Sequence, residues 1–213
     1  MNGGGWDHAL TDKSYNKTLG VIRLGLTYLV IVALVCLARP TPSSVTLGFC
    51  IAAVGEAVRI WAAGHLLKTA ELVTSGPYRY TRNPLYLCRL LIYAGLCTMA
   101  TLPYGANWIV LALGLAVFFG YYLRRKERVE PARLRQVHGD SYDRYHRAVP
   151  ALFPSLHPYP QGASTGWSSD RLLRNREHWM VLAILAVSLV LLWRANHLEQ
   201  AIATPTEMGS PSG

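Results

Sequence analysis

A chain of 213 residues has room for one domain and hardly for two. Its composition is 51% hydrophobic and only 15% charged, against roughly 25% charged in a soluble globule; with a mean hydropathy of +0.19, this argues against a water-soluble domain. The net charge of +9 does not point to nucleic acid, because the basic residues sit between apolar runs and not along one polar face. They read as topology determinants and contacts to anionic lipid.

In chain order, residues 1–18 are polar and glycine-rich. They hold no compact apolar stretch ending in a small-residue cleavage site, so no secretory leader is expected. Apolar runs follow at 19–38, 45–67, 85–102, 106–123 and 179–193. A spanning helix takes about 20 residues, with a range near 17–25, and the first four runs qualify. The fifth is short, but Trp179 and Trp193 bracket it as interfacial anchors would. Between them Ser188 is almost the sole polar residue, so the stripe of a surface helix is missing and a span is expected. The predicted fold is an all-α integral membrane protein with about five transmembrane helices. Its expected parts are a polar segment 1–18, a core 19–154, a cytoplasmic connector 155–178, a final span 179–195 and a disordered tail 196–213. Cys36, Cys50, Cys88 and Cys97 lie in apolar stretches without a Cys-x-x-Cys pair, so neither a disulfide framework nor a metal site is expected.

Basic and bare connections alternate. Lys13 and Lys17 precede the first run, Lys68, Arg79 and Arg82 follow the second, and a dense set from Arg124 to Arg176 follows the fourth. The remaining connections carry Arg39 or no cation. The positive-inside rule then places the N-terminus inside and the C-terminus outside. On this reading the tracts 68–84 and 124–178 share the cytoplasmic side and can build a site together.

Inside the second run, Glu56 and Arg59 stand one helical turn apart, followed by His65. An acid and a base at i and i+3 can pair on one face, and ionisable groups at membrane depth raise the hypothesis of a functional site; snorkelling of Arg59 to the interface is the alternative. The tract from Leu72 to Leu87 is dense in shape-fixing residues. Ser75-Gly76-Pro77 and Asn83-Pro84 are turn signals. Pro84 suits a helix start with Asn83 as its N-cap, and the free N–H groups there could receive an anion. Tyr78, Tyr80 and Tyr86 offer aromatic faces suited to stacking on an adenine or holding a sulfonium, or to lying at headgroup level.

The run Gly-Pro-Tyr-x-Tyr-x-Arg-Asn-Pro-x-Tyr at 76–86 resembles the signature loop of the isoprenylcysteine carboxyl methyltransferases and their phospholipid methyltransferase relatives. A second block agrees in Glu130, Leu134, Gly139, Tyr142, Tyr145, Val149 and Pro150, and residues 59–68 resemble the run before the loop in bacterial members. The resemblance covers about 59–154. It implies a multi-pass methyltransferase, expected in a bacterial inner membrane, whose cytoplasmic-side pocket takes S-adenosylmethionine. Carried over, Leu72, Val73, Tyr78, Asn83, Pro84, Leu85 and Tyr86 would contact this cofactor and Glu130 would bind its polar end. Lys126 falls where the isoprenylcysteine enzymes have an arginine linked to the substrate carboxylate; it keeps the charge and loses the bidentate fork. Pro131 replaces a second glutamate and His138 a phenylalanine, departures that bear on the substrate more than on the cofactor.

The expected partners are the membrane and a lipophilic acceptor bearing a carboxyl, thiol, amine or hydroxyl group. An amine or hydroxyl acceptor would lose a proton on methylation. His65 is the sequence candidate to take it, since imidazole titrates near neutrality; a structural role at a helix end is the alternative. His65, Arg59 and Lys126 are therefore the expected catalytic set. Two rivals follow from the same chain: a membrane reductase of isoprenoid- or sterol-like double bonds using a nicotinamide cofactor, and a non-enzymatic scaffold.

Overall fold

The computed structural model describes residues 7–66, 72–162, 166–175 and 177–203. Residues 1–6, Lys68 and the tail beyond Ala203 lie outside the described residues. The helices are α1 (Asp7–Leu37), α2 (Pro42–His65), α3 (Pro84–Ala100), α4 (Ala106–Val117), α5 (Arg124–Ala148), α6 (Ser169–Arg174) and α7 (His178–Ala203), and no strand occurs among the described residues. All five apolar runs are helical. Four stretches, Gly20–Leu37, Pro42–His65, Pro103–Ala132 and His178–Ala201, are long and apolar enough to cross a membrane; the third run, Pro84–Ala100, is shorter. Its 17 residues rise about 25 Å. Two boundaries differ from expectation: α1 begins within the polar N-terminal segment, and α7 carries 196–203 as helix where a disordered tail was expected.

Leu29, Trp108, Ile109, Leu113, Leu182 and Leu189 all point outward and are exposed. In water that surface would be prohibitive; in hydrocarbon it is solvated. The inner face is built differently. α2 opens on a reciprocal cap, in which Thr41 Oγ1 accepts from the Ser44 N–H at 3.2 Å and Ser44 Oγ accepts from the Thr41 N–H at 3.0 Å, with Pro42 in the first turn. It then lays Gly48, Ala52 and Gly55 against α3. A Cβ on Gly48 would stand 2.5 Å from the Gly95 carbonyl oxygen, and one on Gly95 2.6 Å from that of Gly48. Small residues allow this approach where lipid supplies no hydrophobic drive between helices. Met99, Ile184 and Leu191 complete the core between α3 and α7.

The α3–α4 corner uses positive φ at Thr101, Tyr104 and Gly105. Asn107 ties it, accepting from the Leu102 N–H and donating to the Cys97 carbonyl, both at 3.1 Å. From α4 the helix continues through a widened π turn at Phe118–Leu123 into α5. α5 is broken at Gly139 (φ 51°, ψ −131°), an angle pair open to glycine and poor for other residues. The last part of α5 thereby turns back over the loop at 76–83.

Packing at Gly95 sets a direct expectation. Gly95→Val should lower the melting temperature of the detergent-solubilised chain, at a cost of about 1–3 kcal/mol or more from overpacking. Gly20→Ala, where an added Cβ meets nothing within 4 Å, should leave the melt unchanged.

Candidate functional site

Prolines and tight turns leave the loop at 76–83 without a ladder of its own, so its polar groups look outward for partners. They find them in the chain that follows Gly139. The Tyr145 hydroxyl donates to the Tyr78 carbonyl at 2.7 Å, Arg82 N–H to the Pro150 carbonyl at 2.9 Å, and Thr81 Oγ1 to the Leu152 carbonyl at 2.9 Å. In return the N–H groups of Ser155 and Tyr159 donate to the carbonyls of Tyr80 and Arg79, each at 2.9 Å. The two tracts expected to share one side therefore meet, and the segment read as a connector begins as a brace for the loop.

Between loop and α5 lies an open-mouthed cleft of about 160 Å³. Leu66 lines it just past α2, Leu72 and Val73 from the chain ahead of the loop, Tyr78, Arg82 and Asn83 from the loop, and Glu127, Glu130, Pro131 and Leu134 from the first half of α5, with Tyr142 and Tyr145 beyond the break. Burial raises the Tyr78 and Tyr145 phenol pKa values above the ordinary tyrosine value, so both are neutral hydrogen-bonding groups. Tyr145 uses its hydroxyl on the loop. The Tyr78 hydroxyl and Arg82 Nε are buried and make no hydrogen bond. Unsatisfied donors of this kind are rare and costly.

The expected cofactor residues divide. Leu72, Val73, Tyr78, Asn83 and Glu130 are cleft walls; Pro84, Leu85 and Tyr86 form the first turn of α3, outside those walls. Tyr86 packs on Phe118 of the π turn at 5.9 Å and receives Lys126 Nζ over its ring at 4.3 Å. Lys126 also pairs with Glu130 at 3.0 Å. Asn83 holds the N-cap position of α3 but does not cap with its side chain. Its amide instead donates to Glu127 Oε1 at 3.1 Å and to the Ala151 carbonyl at 2.8 Å, a charged acceptor being stronger than a backbone group.

The other two expected catalytic residues stand away from the walls. His65 is buried behind the loop, with Nδ1 3.3 Å from Ser75 Oγ. The imidazole packs so closely on Gly76 (φ +56°) that a Cβ there would meet the ring at 2.3 Å. Arg59 does not pair with Glu56 as the i, i+3 spacing predicts. It donates to Glu177, just before α7, while both Glu56 carboxylate oxygens are buried without a hydrogen bond. The long guanidinium reaches a neighbouring element and so ties α7 to α2. Asn175 and Trp167 likewise donate to carbonyls near the end of α2, at Ala63 (3.2 Å) and Ile60 (3.3 Å). Among the described residues no three His, Cys, Asp or Glu side chains gather to hold a metal ion.

Arg82, Glu127, Leu134, Tyr142 and Tyr145 are wall residues that the motif reading did not assign. Helical spacing carried the signal for part of them: 127, 130, 131 and 134 recur at i, i+3, i+4 and i+7, one face of α5. The profile of the phospholipid methyltransferase family matches residues 45–140, the stretch that holds α2, the loop, α3, α4 and the first half of α5. The chain belongs to the phospholipid methyltransferase family. The chain is similar to the cobalt-zinc-cadmium resistance protein CzcN of Cupriavidus metallidurans, 32% identical over 168 residues, or 76% of this chain and 74% of that protein. The nickel-cobalt-cadmium resistance protein NccN of Alcaligenes xylosoxydans xylosoxydans is 34% identical over 113 residues, or 52% of this chain and 48% of that protein. No solved structure matches the chain. Family membership and apolar helices together support a membrane methyltransferase.

Tyr145→Phe should test the loop brace. Removing a buried hydroxyl that satisfies the Tyr78 carbonyl should cost about 1 kcal/mol, read as a melting temperature lower by roughly 2–4 °C.

Proposed function

We propose that the chain transfers a methyl group from S-adenosylmethionine to a lipophilic acceptor, with the cofactor held in the cleft between loop and α5. The observation that carries this reading is the convergence of Leu72, Val73, Tyr78, Asn83 and Glu130 on the walls of one cleft. Its mix of apolar, aromatic and polar side chains suits S-adenosylmethionine, which joins an adenine to a charged amino-acid end. The carboxylate of Glu130 stands on the α5 wall, where a cationic group is favoured. Leu72, Val73 and Leu134 supply the apolar surface that excludes water.

The cofactor supplies an activated methyl on a good leaving group, so the protein's task is alignment and exclusion of water. Asn83, fixed by Glu127 and the Ala151 carbonyl, sets the rim beside α3. Pro84, Leu85 and Tyr86 act from behind it by fixing the start of α3. Lys126, paired with Glu130 and over Tyr86, would have to leave that partner to neutralise an acidic acceptor or the cofactor's own carboxylate. His65 we assign to holding Ser75 and Gly76, and Arg59 to docking α7. The cleft is read as facing the cytoplasm, where the basic tracts put it. The two relatives are named for metal resistance; a part for this chain in such resistance would run through its methylated product.

The chain in detergent or lipid should bind S-adenosylmethionine in the micromolar range by calorimetry, and label from it should pass into a product of a total lipid extract. Tyr78→Ala and Glu130→Ala should each weaken binding; unchanged affinity in both overturns the mapped cleft. Stabilisation against heating by a nicotinamide nucleotide, with none by S-adenosylmethionine, would overturn the methyl-donor reading in favour of a reductase.

A further inference from the structure

The carboxylate that the motif singles out is Glu130, yet Glu127 is the one that joins the walls. Glu130 is about half exposed and pairs within its own helix. One turn earlier, Glu127 crosses the cleft and spends its two oxygens separately. Oε2 accepts from Arg82 Nη2 at 2.7 Å and Oε1 from Asn83 Nδ2 at 3.1 Å. The same Oε2 lies 4.0 Å from His146 Nε2, beyond the Gly139 break. A single carboxylate thus touches the loop and both halves of α5.

We propose that Glu127 is the positioning residue of the cleft, latching the Arg82–Asn83 end of the loop onto α5, and that His146 competes for the same oxygen when it gains a proton. The inference rests on the methyl-donor reading above only for its ligand, not for the latch itself. With Nη2 held by Glu127, the guanidinium of Arg82 is fixed and its Nε edge stays buried at the cleft. Neutral His146 leaves that arrangement alone. Protonated, it becomes a second cation at Oε2 and draws Glu127 from Arg82. The groups facing His146 are Arg82 from the loop, Glu127 and Arg135 from the first half of α5, and Tyr142 and Asp143 from its own half. Arg135 and Asp143 are occupied with each other at 2.6 Å.

The sign of the pH dependence follows. Burial, and then Arg82, lower the His146 pKa below the ordinary imidazole value of 6.5. The latched state is therefore fully favoured above the ordinary imidazole value and is lost as pH falls below it, through the depressed pKa of His146. S-adenosylhomocysteine, the product of the proposed reaction, serves as probe on the full chain in lipid. Glu127→Gln should weaken its binding about tenfold or more near pH 8, the scale of a lost charge-assisted hydrogen bond. Wild-type affinity should fall by a similar factor between about pH 8 and about pH 5.5, and His146→Gln should flatten that profile. Without any ligand, Glu127→Gln should speed amide hydrogen exchange across 81–87.

Wild-type affinity and wild-type exchange in Glu127→Gln would overturn the latch. If that variant does not fold, the wild-type profile decides, and a flat one overturns the competition by His146. A wild type that binds no probe, beside faster loop exchange in the variant, would sink the methyl-donor reading and leave the latch standing.

Discussion

A loop whose own short turn satisfies only part of its backbone must borrow the remaining partners, and that constraint organises the membrane-surface end of this protein. Pro77 and Pro84 bring no N–H, and Gly76 and Asn83 depart from helix. The carbonyls of Tyr78, Arg79 and Tyr80 and the N–H of Arg82 are answered by Tyr145, Tyr159, Ser155 and Pro150. Each partner lies more than sixty residues along the chain, so the loop has its shape only when the end of α5 has come back over it. The cleft is the space left between the two. Its form depends on long-range pairing added to the loop's own turn at Gly76–Arg79, as expected where buried backbone groups must all be satisfied.

The base under the loop is stiff for another reason. Where Gly48 faces Gly95, each helix presents almost bare backbone to the other, so α2 and α3 cannot slide without a clash. α2 then carries the end of the bundle: Arg59 holds Glu177, Ala63 and Ile60 receive Asn175 and Trp167, and His65 packs on Gly76. Carbonyls at a helix C-terminus lack partners in their own helix. Here the Gly64 and His65 carbonyls accept from the Ser168 N–H at 3.1 Å and Arg171 Nη1 at 3.5 Å, so contacts that satisfy α2 also tie down the chain leading to α7. The outer faces, in contrast, are apolar and need only lipid.

Much of the fold was legible because its physics is one-dimensional. Apolar length and the alternation of basic loops need no knowledge of contacts, and all five apolar runs became helices. Boundaries were less legible: 196–203 is polar enough to read as tail, yet α7 continues through it. At the site, the resemblance around Tyr78, Asn83 and Glu130 pointed to residues that line one cleft. It could not say how Arg59 and Asn83 would spend their donors. Sequence spacing ranks Glu56 as Arg59's partner and the helix start as Asn83's, since both are near in the chain. The structure supplies stronger partners from afar, Glu177 and Glu127. Proximity in sequence bounds which pairs are possible; it does not rank them against groups that folding brings in.

Glu127 and Glu130 make the same point within one helix. Glu127 and Glu130 share a face and differ by about 300° of helical rotation, close to one turn. Spacing alone cannot separate them. What separates them is the axial position of the loop. The level of Glu127 meets Arg82 and Asn83, while the level of Glu130 meets open space and the returning Lys126. An exposed carboxylate bound to a flexible lysine can exchange that partner for a ligand at little cost. A carboxylate bound to two loop donors cannot do so without moving the loop. The division of labour follows from burial: Glu130 is the acid free to meet a ligand, and Glu127 is the acid that keeps the wall in place for it.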